Sequence, residues 1–394
     1  MSYLSITNDA ELAELCGELA GCAWIALDTE FVAEHTFRPV LCLVQVAADD
    51  RLAVIDAMAI GDMTPFWDVL AAPGHETIVH AGRSEAEFCL QSVGRVPAGL
   101  FDVQVAAGLI GIEYPAGYST LLGRLLGKTA KSLETRTDWR RRPLSKRQIE
   151  YALEDVRHLR AMADALRARL EQLGRLDWMA EEMAAWESEL RESLSRDHWR
   201  RVSGISGLGP RELAIVRELY EWRSREAQRR DQPARRVLRD DLIVELARRR
   251  SADVRQIRAV RGMERGDLLR RVNEIAASIA RGLAVPEPDC PVAASRQRVP
   301  PLSVLGQFLF AALGSLCRQQ EVAPALVGNP TDIRDWIVHR SGRFGRTETP
   351  RLASGWRKRF VGELFEDLLA GRLAVRVADP ESEAPLRFEP RRDD

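Results

Sequence analysis

Apolar positions in the first third of the chain fall into short unbroken runs rather than helical stripes. Residues 22–28 (CAWIALD), 40–47 (VLCLVQVA) and 51–56 (RLAVID) read as buried strands, and their short links predict an antiparallel meander. Residues 63–72 take helical spacing, and TIVHA at 77–81 is another short strand. SEAEFCLQSV at 84–93 opens a helix with Ser84 placed to cap it. After LFDVQVAAGLIG comes a glycine-rich stretch, and then one long helix is predicted over 145–171. Its start, Ser145 to Gln148, has the pattern of a capping box. Strands interleaved with helices make residues 1–175 an α/β domain.

Beyond that point the pattern is helical only. Residues 176–210 form a helical linker that carries Trp178, Trp186 and Trp199 and ends in the break SGISGLGP. Residues 211–284 form an all-α domain in which Leu213, Val216, Leu219 and Trp222 repeat at the spacing of a buried face. A proline-rich linker at 285–299 leads to a second helical domain, 300–378, and a charged tail closes the chain at 379–394.

Charge changes this picture. The net charge is −1, yet residues 211–282 hold 19 Arg, no Lys and 12 acids, so they carry +7 and the remainder −8. A basic helical part joined to an acidic part suits a polyanion on one and a cation on the other. The four lysines of the whole chain show that part of the arginine excess is compositional. Six scattered cysteines form no CxxC pair, which argues against zinc knuckles and a disulfide framework and fits a reducing compartment. No apolar run is long enough to span a bilayer, and the N-terminus lacks a secretory pattern, so a cytoplasmic chain is expected. The absence of GxxxxGK[ST] excludes a P-loop motor and its ATP.

Candidate chemistry lies in two residue pairs, one of two carboxylates and one of a phenol and a carboxylate. Asp28 and Glu30 are two apart on a strand, so both side chains point to one face and can share a cation. Tyr151 and Asp155, in EYALEDVRHL, are four apart on the long helix and stack on one face. His80 in VHAG reads as a packed strand histidine, and Asp102 in FDVQVA as a loop cap or a support for the site. Lys131, Arg140 and Arg141 precede the long helix and are placed to meet phosphates. Arg229, Arg230, Arg235, Arg236, Arg248, Arg249 and Arg250 supply the same chemistry in the basic domain.

The segments IALDTEF, VHAGRSEAEF and GYSTLLGRLLGKTAKSLETRTDWRRRPLSKRQIEYALEDVRHL resemble ribonuclease D, in the tyrosine-bearing branch of the DEDD exonuclease superfamily. The resemblance covers residues 1 to about 170 and implies a ribonuclease-H-like mixed-sheet exonuclease domain. It also implies two divalent ions, Mg2+ or Mn2+, and hydrolysis of RNA from its free 3′ end to nucleoside 5′-monophosphates, with tRNA precursors as the expected substrate. By this resemblance Asp28, Glu30, Glu85 and Asp155 are metal ligands, and Tyr151 positions the attacking water. Glu85 departs from the family, which has aspartate there; the extra methylene strains the tight octahedral geometry that magnesium demands. Residues 211–284 resemble the HRDC domain, and 300–378 resemble a second, diverged HRDC-like domain, so all-α HRDC-type domains follow the exonuclease. A monomer is expected. The sequence leaves open a DNA exonuclease, or an RNA-binding chain whose site has decayed at Glu85.

Overall fold

The computed structural model describes residues 3–129, 137–195, 198–292, 303–342 and 349–391. The apolar runs of the first third become a six-stranded sheet in the order β1-β4-β3-β2-β5-β6. Its strands are β1 (Leu4–Ile6), β2 (Trp24–Val32), β3 (Val40–Ala48), β4 (Arg51–Ile55), β5 (Glu76–Val79) and β6 (Leu100–Asp102). Strands β2, β3 and β4 are neighbours, as the short links require, and β3 pairs antiparallel to β4. The pairs β1–β4, β2–β5 and β5–β6 are parallel, so the sheet is mixed. Ile25, Ala26 and Leu27 are all fully buried, so both faces of β2 are covered, which accounts for an unbroken rather than alternating apolar run.

Among the described residues, eight helices accompany the sheet: α1 (Asp9–Leu19), α2 (Thr64–Ala71), α3 (Arg83–Val93), α4 (Val103–Leu109), α5 (Tyr118–Leu126), α6 (Lys146–Arg157), α7 (Leu159–Gln172) and α8 (Leu176–Ser195). Three local expectations are corrected. Strand β2 does not end at Asp28 but continues through both acids to Val32. Ser84 lies inside α3, whose N-cap is Gly82 and carries no capping side chain; the carboxylate of Asp102 accepts the Ala81 and Gly82 N–H groups of the turn before it at 3.1 and 3.0 Å. The predicted long helix divides into α6 and α7 at His158 (φ −107°, ψ 0°). The capping box at its start is present: Ser145 accepts the Gln148 N–H at 3.2 Å, and the Gln148 side chain accepts the Ser145 N–H at 2.9 Å.

The chain divides into two compact units. The first gathers residues 1–30, 42–191 and 300–394. Its main core joins Ala26, Ala47 and Ile78 of the sheet to Val156, Leu159 and Leu166 of α6 and α7. The same core takes in Leu313, Trp336, Trp356 and Phe365 from the C-terminal helices. Residues 300–378, set apart in the sequence as a domain, therefore share a core with the exonuclease-like part. The last residues are not a plain tail, because Leu386–Pro390 pairs antiparallel with Leu373–Val377. A buried ion pair fastens this C-terminal segment to α8. Glu182 accepts both Arg357 terminal nitrogens at 2.6 and 2.8 Å and the Trp356 indole N–H at 3.1 Å.

The second unit comprises residues 31–41 and 192–299. Helices Pro210–Arg230, Asp240–Arg249 and Val272–Ala284 bury Leu213, Val216, Leu219 and Trp222 against Ile243, Ile275 and Ile279. Gly282 lets two of them approach closely: a Cβ there would stand 2.6 Å from the Ile215 Cα. Phe37 packs on this core, and its N–H donates to Asp231 Oδ1 at 3.1 Å. All six cysteines are buried and unbridged.

Replacing Glu182 by Ala strands the Arg357 guanidinium inside the core and should cost about 3–5 kcal/mol. Urea unfolding followed by circular dichroism checks this, and an added Arg357→Met exchange should return most of the loss.

Candidate active site

Strand alternation sets Asp28 and Glu30 on one face of β2, and α6 delivers Asp155 and Tyr151 from successive turns. One carboxylate oxygen each from Asp28, Glu30 and Asp155 lies within 4.8 Å of the others. The Tyr151 phenol lies beside Asp155 and favours its charged form. Two residues of the DW-R-RPLS run hold the phenol in place. Arg142 grips Asp56 at the end of β4 through two nitrogens (2.5 and 2.6 Å), the Cys42 carbonyl at 3.0 Å and the Trp139 carbonyl at 2.6 Å. The buried Trp139 ring then lies 6.2 Å from the Tyr151 ring. The sequence marked this run only as a motif; the half-buried arginine fork is what gives it a task.

Three half-buried carboxylates at this separation repel one another. Burial raises Asp28 well above the usual carboxylate range, and the charges of Glu85, Asp155 and Glu30 raise it further. Burial with the charges of Asp155 and Glu85 pushes Glu30 up to about 8. Asp155 rises to about 7 through burial, moderated by the Tyr151 phenol. Burial likewise holds the Tyr151 phenol above its ordinary value, with Asp155 adding to it, so the tyrosine keeps its proton. Hard oxygen donors with excess negative charge are the donor set that Mg2+ or Mn2+ takes, so these residues fit a divalent ion.

Glu85 stands apart from the converging three. It is buried at 4% exposure, accepts the Thr29 hydroxyl at 2.5 Å, and rises to about 7 by burial, with the Thr29 bond opposing. Thr29, between the two acids of β2, was not singled out in the sequence. Its small hydroxyl among buried neighbours was the available signal. The turn leading to α3 is tight: Ala81 has φ +55°, and a Cβ on Gly82 would meet Val79 at 2.4 Å.

The secondary candidates take supporting places. His80 Nε2 is 2.9 Å from the Ala116 carbonyl, and Asp102 caps α4 through the Gln104 N–H at 2.8 Å. Arg140 pairs with Asp138 at 3.1 Å, Arg141 is exposed in the loop before α6, and Lys131 lies outside the described residues. In the second unit Arg235 is 3.5 Å from Asp240, and Arg236 is 3.1 Å from His35. Arg229 and Arg230 both engage Glu226, Arg249 engages Glu245 and Arg250 engages Glu212, so much of the arginine excess is already paired with acids.

Residues 3–171 match the family model for a 3′-5′ exonuclease, and residues 212–279 match that for the HRDC domain. Ribonuclease D of Acidiphilium cryptum is 37% identical over 380 residues, covering 94% of each chain. That of Gluconacetobacter diazotrophicus is 34% identical over 380 residues, again 94% of each. The crystal structure of Escherichia coli RNase D, an exoribonuclease involved in structured RNA processing, superimposes with a TM-score of 0.82 at 27% identity. It covers 94% of this chain and 99% of its own.

Between the unfolded carboxylate values of about 4 and the folded values near 7 and 8, the folded chain binds more protons. Stability in chelator should therefore fall as pH rises through that window. A divalent ion needs the deprotonated carboxylates, so millimolar Mn2+ should raise the melting temperature more at pH 8 than at pH 6, on the order of 5 °C. Differential scanning fluorimetry measures this, and Asp155→Ala should abolish most of the rise.

Proposed function

This chain belongs to the ribonuclease D family of hydrolytic 3′→5′ exoribonucleases, and from that premise we propose that Asp28, Glu30 and Asp155 hold a divalent ion at the RNA 3′ end while Tyr151 orients the attacking water. The observation that carries the reading is the convergence of the three carboxylates within 4.8 Å, with Tyr151 one helical turn before Asp155 on the same helix. Bound divalent ions supply Lewis acidity, which acidifies water and offsets charge on the attacking and leaving oxygens of a phosphodiester.

The chain's own groups supply position. A tyrosine that keeps its proton is no general base at neutral pH; it aligns a water along the scissile bond by hydrogen bonding. Glu30, the acid nearest the exit of β2, accepts the terminal 3′-OH in this reading and so favours chain ends. Cleavage on the 5′ side of the last residue releases a nucleoside 5′-monophosphate. A second ion falls to Asp28 and Glu85, and the Thr29 bond makes Glu85 the weaker partner. The HRDC domain and the exposed arginines, Arg141 among them, hold the phosphates behind the 3′ end without reading sequence. Escherichia coli RNase D acts in structured RNA processing, and the substrate assigned here is the 3′ extension of a tRNA precursor. A cytoplasmic setting accords with six unbridged thiols, and a monomer working alone completes the proposal. No helix of the described residues is long and apolar enough to cross a membrane.

A 5′-labelled RNA with a single-stranded 3′ tail should shorten from its 3′ end in Mg2+ or Mn2+, giving a ladder that Asp155→Ala eliminates. RNA that is bound but left intact in both ions would leave an RNA-binding chain in place of an enzyme. Glu85→Asp removes the reach to Thr29, and should raise the magnesium-supported rate relative to the manganese-supported rate by about three- to tenfold, because magnesium is the stricter of the two in ligand geometry. Single-turnover rates in each ion give the ratio.

A further inference from the structure

The break at His158 has a specific cause, and it lies one turn from the active-site carboxylate. In an uninterrupted helix the N–H of residue 158 bonds to the carbonyl of residue 154. Here the Tyr118 hydroxyl donates to the Glu154 carbonyl, while the His158 N–H turns to the Val156 carbonyl. The phenol thus occupies the acceptor that a continuous helix would give to the His158 N–H. Insertion of a side chain into the ladder is a recognised origin of helix kinks. His158, at φ −107° and ψ 0°, departs from helical values at that place, and neither proline nor glycine is present to account for it.

Tyr118 is itself aimed by buried polar groups. It is the first residue of α5, and the Ala116 carbonyl two residues earlier receives both His80 Nε2 and Gln104 Nε2 at 2.9 Å. The His80 ring also meets the Tyr118 ring edge-on at 6.0 Å. The VHAG histidine therefore reaches the active site indirectly, by fixing the turn that presents this phenol. Asp155 follows Glu154 directly, so the turn that the hydroxyl pins is the turn that carries the carboxylate.

We propose that Tyr118 is a positioning residue: its hydroxyl, inserted at the α6–α7 junction, sets the direction in which Asp155 meets Asp28 and Glu30. The proposal rests on the reading of those three carboxylates as ligands of a divalent ion. Without the hydroxyl, the Glu154 carbonyl can take the His158 N–H, and α6 continues as regular helix through His158, which re-aims the last turn that carries Asp155.

The test is Mn2+ binding to the full chain, measured by the electron paramagnetic resonance of free Mn2+, for wild type, Tyr118→Phe and Asp155→Ala. Phe keeps the ring and its packing. Tyr118→Phe should weaken Mn2+ binding about tenfold, the usual effect of losing a group that orients a metal ligand. It should also lower kcat by a similar factor while KM for RNA stays within about twofold. A chain with 4-aminophenylalanine at 118, which restores a donor on the same ring, should recover both values. Wild-type Mn2+ affinity in a folded Tyr118→Phe chain, with Asp155→Ala impaired, overturns the proposal and leaves the cation reading intact. Wild-type affinity in Asp155→Ala overturns the cation reading and this proposal with it. Weakened binding that 4-aminophenylalanine does not recover also overturns it, because the loss is then one of packing. Tyr118→Met, which fills the space without a hydroxyl, supplies the same comparison should the Phe chain not fold.

Discussion

Like charges drawn together out of water set the terms for the rest of this molecule. Asp28, Glu30 and Asp155 lie close together, so that Asp155 and Glu30 raise the proton affinity of Asp28, and Asp155 that of Glu30. Such an arrangement persists only when it is over-determined by its scaffold, and the scaffold is visible on every side. Strand β2 is buried on both faces, Arg142 ties the loop before α6 to the ends of β3 and β4, and Asp102 satisfies the turn before α3. The site is thus held by polar groups whose own charges are answered, around three carboxylates that repel one another. Such a cluster is the kind of place that can take a cation, at a cost to stability without one.

What was legible in the sequence follows from how local each cause is. Period-two and period-four spacing placed Asp28 with Glu30 and Tyr151 with Asp155, because those relations are set by backbone geometry alone. The capping box at Ser145 was legible for the same reason. The extent of β2 past its acids was not, since polar residues read as a strand end until their partners across the sheet are known. Ser84 failed as a cap because α3 starts one residue before it, after a turn that Asp102, distant in sequence, holds through the Ala81 and Gly82 N–H groups. The break at His158 left no trace in its own segment, which holds neither glycine nor proline; it is written in Tyr118, on another helix. Glu85 stood out as a departure from a family pattern, whereas its bond to Thr29 required the fold.

The arginine-rich second unit teaches a related caution about counting charge. Glu226 alone engages Arg229 and Arg230 and lies 3.5 Å from Arg271, and Asp240 engages Arg223 within a buried pair. Much of what composition presents as a surface for phosphates is therefore internal bracing of a helical domain. The side chains left for a polyanion are fewer and better defined than the tally suggests, and a loose grip suits an enzyme that must let its substrate advance by one nucleotide at a time.

The path of the chain between its two units also has a temporal meaning. The core beneath the catalytic face is assembled from residues near both ends, Ala26 and Ile78 among the first and Trp356 and Phe365 among the last. The strand bearing Asp28 and Glu30 passes directly into residues 31–41, which group with the helical unit built around residues 192–299. During synthesis the helical unit has all its pieces once residue 299 has left the ribosome, while the nuclease still lacks a wall of its core. The order of emergence therefore makes the residues of the helical unit complete before those of the core beneath the carboxylates, which closes only when the last helices have been made.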